Sequence, residues 1–149
     1  MAEHASKRDA CWLGIDLGTQ SVRVLVVSSS GEVLGQGSHP LSSQRKGAYH
    51  EQQPEEWWRA VCAASRAALA QASQTSIGGV AVDSTSGTIL LVDCAGKPVT
   101  PGLMYDDARA TEEVRRVNEV GAEVWASSGY RMQACLLYTS PSPRDRQKS

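Results

Sequence analysis

The chain has 149 residues, of which 41 % are hydrophobic and 21 % charged, with a formal net charge of -1. That length holds about one domain with its own core, and the balance is that of a globular chain rather than a disordered or fibrous one. Near-neutral charge gives no footprint for nucleic acid or an anionic membrane, and no apolar run approaches the roughly 20 residues that span a bilayer.

The first ten residues, MAEHASKRDA, are polar and lack an apolar h-region, so residues 1–11 are expected to be a disordered lead-in to a cytoplasmic protein. From Trp12 the pattern becomes strand, turn, strand: Leu13 and Ile15 lead in, then Val22, Val24 and Val26 alternate with Arg23 and Leu25. Ser30-Gly31 marks a turn, and Glu32 to Leu41 a third strand weakened by glycines. The stretch SSQRKGAYHEQQ reads as a loop. Pro54 then opens a helix with Glu55 and Glu56 in its first turn, where acids suit the free amides and the positive end of the helix dipole. Trp58, Val61, Cys62, Ser65, Leu69 and Ala72 recur at helical spacing and are expected to face the core.

Ile77 to Val82 reads as a buried strand, Thr88 to Val92 as another, and DCAGKP as a turn. A second helix is expected to open near Asp106 and Asp107, with Val114, Val117 and Val124 on one face. The sum is an α/β architecture that begins with a β-meander rather than a βαβ unit. Cys11, Cys62, Cys94 and Cys135 are scattered, and His4, His39 and His50 fall at no ligand spacing from them, so a zinc site is not expected.

One turn interrupts the apolar strands with polar chemistry: Asp16-Leu17-Gly18-Thr19-Gln20-Ser21. The chain has neither GxGxxG nor GxxxxGK[ST], which sets aside the dinucleotide fingerprint and the P-loop. Gly18 permits a positive φ and a close backbone approach to a ligand. Backbone amides in such a turn, with the Thr19 and Ser21 hydroxyls, can cradle phosphate oxygens. Asp16, at a strand end, suits a hydrated Mg²⁺, which takes few carboxylates and keeps several waters. A plain hairpin whose aspartate caps its own backbone fits the same residues.

The stretch GIDLGTQSVRVLVVSSSGEVL resembles the phosphate-binding hairpin of the ATPase superfamily that unites actin, heat-shock chaperones and sugar kinases. YHEQQPEEWWRAV, residues 49–61, resembles the E-Q-x-P-E-x-W-W signature of FGGY carbohydrate kinases, which narrows the branch. GVAVDSTSGTILLVDCAGKPVTPGLMYDDARA, residues 79–110, resembles the strand, loop and W/Y-x-D-x-R segment that lines the sugar pocket in that family. Its Asp83-Ser84-Thr85-Ser86-Gly87-Thr88 loop is closer to ribulokinase-like members than to the Gln-Met-His loop of xylulokinases or the Arg-Glu pair of glycerol kinases.

The resemblance implies a ribonuclease H-like (actin-like ATPase) N-terminal domain over residues 12–133, incomplete, in a parent that phosphorylates a small sugar, a pentulose such as D-ribulose or D-xylulose, with ATP and Mg²⁺. Asp16 would organise the metal, and Gly18, Thr19, Gln20, Ser21 and Arg23 would meet the phosphates. Thr85, Ser86, Asp107 and Arg109 would bind sugar through short polar and charged groups that exchange hydrogen bonds with hydroxyls. Sugar and ATP are the expected partners, with no nucleic acid or membrane, and a homodimer is left open for the parent. The family's general base and adenosine loops fall outside the matching segment, so these residues alone are expected to be inactive. An exopolyphosphatase-like hydrolase and a non-catalytic nucleotide- or sugar-binding regulator share the hairpin and remain alternatives. CLLYTSPSPRD, residues 135–145, resembles a translated sequencing adapter, and residues 134–149 are expected to be an artefactual, disordered tail.

Overall fold

A computed structural model describes residues 10–72, 76–129 and 132. It divides into two compact units, one drawn from within Met1–Ser42 and Pro54–Thr85, the other from within Ser43–Gln53 and Ser86–Ser149. The expected tail and most of the lead-in lie outside the described residues.

The first unit is a four-stranded sheet carrying one helix. Strands β1 (Ala10–Leu17), β2 (Ser21–Val27) and β3 (Val33–Pro40) form the antiparallel meander, and β6 (Ser76–Ser84) adds to the far side of β1 in parallel, giving the order β3-β2-β1-β6. β1 begins at Ala10, two residues before the expected start. Alternation decides which face is dry: Cys11, Leu13, Ile15, Val22, Val24 and Val26 are buried together. Each such side chain contributes about 1.5–3 kcal/mol of burial. Gly31, at φ +87, turns β2 into β3 as the Ser30-Gly31 pair leads one to expect.

Helix α1 (Pro54–Gln71) lies over β3 and β2 and reaches β1 only lightly. Its buried seam is Pro54, Ala60, Ala64 and Ala68, not the larger residues at the next helical positions. Trp58 is 70 % exposed and Leu69 is also outside the core. The cause is proximity: a Cβ on Gly35 would collide with the Ala68 carbonyl, and one on Gly37 with that of Ala64. Glycines on the sheet and alanines on the helix let the two backbones approach so closely that no bulkier side chain fits between them. Of the expected stripe Ala72 is in the core and Val61 packs against it, while Trp58 and Leu69 face outward, because the stripe ranked residues by apolar size.

β6 is a strand as expected, but it is not buried: Val80 is 59 % and Val82 66 % exposed. Their register partners Leu13 and Ile15 are buried, and Ile77 is the β6 hydrophobic residue that packs against the core.

The second unit holds a small sheet ordered β4 (Gln44–Lys46), β5 (Tyr49–Gln52) and β7 (Gly102–Leu103). The stretch expected to be a loop is thus a hairpin, closed at Gly47 with φ +59. Its polar strands lack the apolar alternation that announces a half-buried sheet. Thr88–Val92 makes only isolated bridges, Ile89 to Leu103 and Val92 to Pro98. The second helix starts at Thr111, not Asp106, and breaks at Gly121 into α2 (Thr111–Val120) and α3 (Ala122–Ser128). Neither has a buried residue, and Val117 and Val124 are exposed.

Candidate functional site

The polar turn between β1 and β2 is three residues, Gly18-Thr19-Gln20, closed by the Gly18 N–H donating to the Ser21 carbonyl at 3.1 Å. Gly18 is not among the glycines with positive φ; it is required for room, since a Cβ there would press on the Ser21 carbonyl at 3.2 Å. Two further main-chain bonds tie the turn down. The Leu41 N–H donates to the Gln20 carbonyl at 2.8 Å, and the Thr85 N–H to the Leu17 carbonyl at 3.1 Å. The Thr19 and Thr85 hydroxyls lie 3.3 Å apart. The first unit therefore brings Thr85, read from sequence as a sugar residue, against Thr19, read as a phosphate residue.

Asp16 and Arg23 are register partners on β1 and β2, both largely exposed, with Arg23 Nη1 3.6 Å from Asp16 Oδ2. On the other side of β1, Asp83 is the register partner of Asp16. Parallel partners present side chains to one face, so two carboxylates and a guanidinium share one end of the sheet. They border an open hollow of about 450 Å³ with Gly14, Leu25 and Val82. The end in question is the carboxyl end of two parallel strands, where open α/β sheets take their ligands. Among the described residues no three His, Cys, Asp or Glu side chains converge on a point. Mg²⁺ needs no such cage, since it is held by one or two carboxylates, water and substrate phosphates. Asp16, exposed at the mouth of the hollow, fits that donor set.

Asp107 and Arg109 meet in the second unit. Asp107 has no exposed surface. Its Oδ1 accepts the Arg109 backbone N–H and Nε–H, at 3.1 and 2.8 Å, and its Oδ2 accepts the His50 N–H and Arg109 Nη2, at 2.8 and 2.7 Å. Arg109 beside it holds the Asp107 carboxyl down at about 2, against the upward push of burial. Arg109 Nη2 also donates to Glu51 Oε1 at 2.6 Å, and the guanidinium lies over the Tyr49 ring, 4.1 Å from its centroid. The two acids push the Arg109 pKa further up.

Asp106 serves the other face of the hairpin. Its Oδ1 bonds His50 Nδ1, and its Oδ2 accepts Arg45 Nη2 at 2.6 Å. Partial burial would raise its pKa, but the His50 and Arg45 contacts outweigh that and lower it. A carboxylate on Nδ1 sets the ring proton there, and His50 Nε2 is buried with no partner among the described residues. Consecutive aspartates thus grip β5 from both sides. Main-chain bonds from Met104 to His50 and from Ala108 to Ala48 complete the staple.

Sequence reasoning found Asp107 and Arg109 but passed over Glu51, Asp106, Arg45 and Asp83. Glu51 and Arg45 sit in a stretch read as loop, and Asp106 was read as a helix opener. No local pattern announced them, since their partners lie on segments more than fifty residues apart in sequence. Gln20 and Ser86 are exposed turn residues, and Ser21 begins β2.

The sequence profile of the FGGY family of carbohydrate kinases, N-terminal domain, matches residues 11–139. A xylulose kinase from Streptomyces rubiginosus is 38 % identical over 122 residues, which covers 76 % of this chain and 24 % of that protein. Among solved structures, a sugar kinase of Brucella ovis, titled a xyloylose kinase, superposes with a TM-score of 0.76 at 23 % identity, over 85 % of this chain and 26 % of its own. Plasmodium falciparum glycerol kinase with ADP gives a TM-score of 0.74 at 17 % identity, over 94 % and 30 %. These last two likenesses concern the fold. The chain spans about a quarter of the length of the curated relatives it matches.

Proposed function

Because this chain belongs to the FGGY family of carbohydrate kinases, we propose that it supplies part of the cleft of an enzyme that phosphorylates a small sugar with MgATP, a pentulose before other sugars. The observation that carries this reading is the pinned turn of β1 and β2, with Thr85 held against Thr19. Asp16 would hold Mg²⁺, which neutralises charge on the transferring phosphoryl group. Gly18, Thr19, Gln20 and Ser21 would meet phosphate oxygens, with Arg23 adding positive charge beside them. Phosphoryl transfer asks mainly for positioning and charge stabilisation, and a turn fixed before the nucleotide arrives serves that need.

On the sugar side, Thr85 and Ser86 would offer hydroxyls and Arg109 its exposed edge. Asp107, fully buried, would act by holding Arg109 in place. The proton acceptor for the attacking hydroxyl would come from the rest of the longer protein, so residues 1–149 alone should not turn over. The same reading has sugar and nucleotide as partners and places the enzyme in the cytoplasm; no helix among the described residues is long and apolar enough to cross a membrane.

A coupled assay with D-xylulose, D-ribulose and glycerol at saturating MgATP tests this on a full-length protein that carries the segment. Turnover with a pentulose in the usual enzyme range, about 1 s⁻¹ or more, is expected. Hydrolysis of polyphosphate without sugar phosphorylation would overturn it.

A further inference from the structure

A row of polar side chains crosses the sheet of the first unit, one step back from the pinned turn. Register sets Ser38 on β3 opposite Arg23 on β2, Arg23 opposite Asp16 on β1, and Asp16 beside Asp83 on β6. Residues paired across a ladder share a face, so the four form one line over the whole sheet. Asp16 therefore has a cation on one side and a second carboxylate on the other. Arg23 meets it by charge attraction alone. The 3.6 Å approach to Oδ2 is too long for a hydrogen bond, and both side chains are largely exposed. Exposed pairs of this kind contribute little to stability and exchange readily. Arg23 also stands between two open hollows, one of about 450 Å³ shared with Asp16 and Asp83, the other of about 430 Å³ shared with Gln36 and Ser38. Its guanidinium has open space on either side.

We propose that Arg23 couples metal to nucleotide: paired with Asp16 it opposes a divalent cation there, and a nucleotide phosphate, by drawing the guanidinium away, frees Asp16 for the metal that arrives with it. The inference rests on the MgATP reading and deepens it, since that reading gives Arg23 a phosphate contact only. Without Arg23, two neighbouring carboxylates would attract a divalent cation with no nucleotide present. With it, one of their charges is offset, and a hydrated cation gains little by displacing the guanidinium. Phosphate tips the balance because it offers arginine paired, charge-assisted hydrogen bonds that the 3.6 Å contact with Asp16 lacks. The coupling is reciprocal, so the factor by which nucleotide tightens metal binding is the factor by which metal tightens nucleotide binding.

Binding measurements on the full-length kinase test this without turnover. Mn²⁺ alone is titrated by electron paramagnetic resonance, and ADP by calorimetry with and without Mn²⁺. In the wild type Mn²⁺ should tighten ADP binding at least about tenfold. Arg23→Gln should bind Mn²⁺ alone at least about fivefold more tightly than wild type, the scale of one unit charge about 4 Å away in water. The same variant should bind ADP with Mn²⁺ at least about fivefold more weakly. Arg23→Lys keeps the charge and should hold the affinity for Mn²⁺ alone within about twofold of wild type. The required gain cannot come from a damaged fold, which would lower both affinities. An Arg23→Gln protein whose affinity for Mn²⁺ alone is unchanged or lower overturns the proposal while ADP binding leaves the MgATP reading standing. Wild-type ADP binding that is indifferent to Mn²⁺ also overturns it. A wild-type protein that binds no ADP in the presence of Mn²⁺ overturns the MgATP reading itself, and this assignment with it.

Discussion

Thr19 and Thr85, 66 positions apart in sequence, face each other hydroxyl to hydroxyl at 3.3 Å across the ends of β1 and β6. In the proposed reading one belongs to the phosphate-holding turn and the other to the sugar-holding loop, and the contact is the place to test that reading. Thr85→Val keeps the shape and deletes the hydroxyl. In the full-length kinase it should lower kcat about tenfold or more while changing the KM for sugar less, and Thr85→Ser should recover most of the loss. Steady-state kinetics with both substrates varied checks this, and an unaltered kcat in the valine variant would refute the pairing.

Asp16 is exposed, so its replacement should touch chemistry rather than stability. Asp16→Ala is expected to reduce kcat on the order of 10²-fold or more in the full-length enzyme. Its unfolding free energy should stay within about 0.5 kcal/mol of wild type, as for other surface changes. Rates at several Mg²⁺ concentrations, with a parallel urea melt, separate the two.

Asp107 links the clamp to pH. Its carboxyl titrates near 2 in the folded chain, below the ordinary 3.8, so its stabilisation is complete above pH 4 and is lost as pH falls towards 2. Asp107→Asn should lower the melting temperature at pH 6 and flatten its decline between pH 4 and 2. A wild-type melting curve with no slope in that window would contradict the assignment.

The close seam of α1 on β3 allows a sharp packing test. Gly37→Ala places a methyl group onto the Ala64 carbonyl and 3.0 Å from the Ala68 amide, both backbone atoms that cannot step aside. Overpacking of this kind costs about 1–3 kcal/mol. Calorimetry should show it, whereas Gly14→Ala, with nothing within 4 Å, should be nearly silent.

Where the sequence was legible, the reason was periodicity with a dry face. Val22, Val24 and Val26 alternate against Arg23 and Leu25, and the meander followed from them directly. The rotated face of α1 was not legible, because Ala60, Ala64 and Ala68 are conspicuous only once Gly35 and Gly37 are known to lie beneath them. The β4–β5 hairpin was hidden for a different reason. It is held by Asp106 and Asp107 from more than fifty residues downstream, and no local pattern in Arg45 to Gln52 records such partners. Asp16, Thr19 and Arg109 stood out as residue types in a motif, while Glu51 and Asp83 gain their meaning only from the strand beside them.

β6 has consequences for how the chain behaves among its own copies. It is an edge strand whose outer side has no strand partner among the described residues, and Val80 and Val82 stand bare on one face. Parallel strands are ordinarily covered on both faces, and an apolar edge is a template for further strand addition. Its defences against addition are weak, since Asp83 is its one charged residue and Gly78 and Gly79 the only breaks in its flatness. Strand addition between copies of this chain is therefore expected along Ser76 to Ser84. Val80→Lys would act there as a gatekeeper, since Val80 is exposed and outside the buried core.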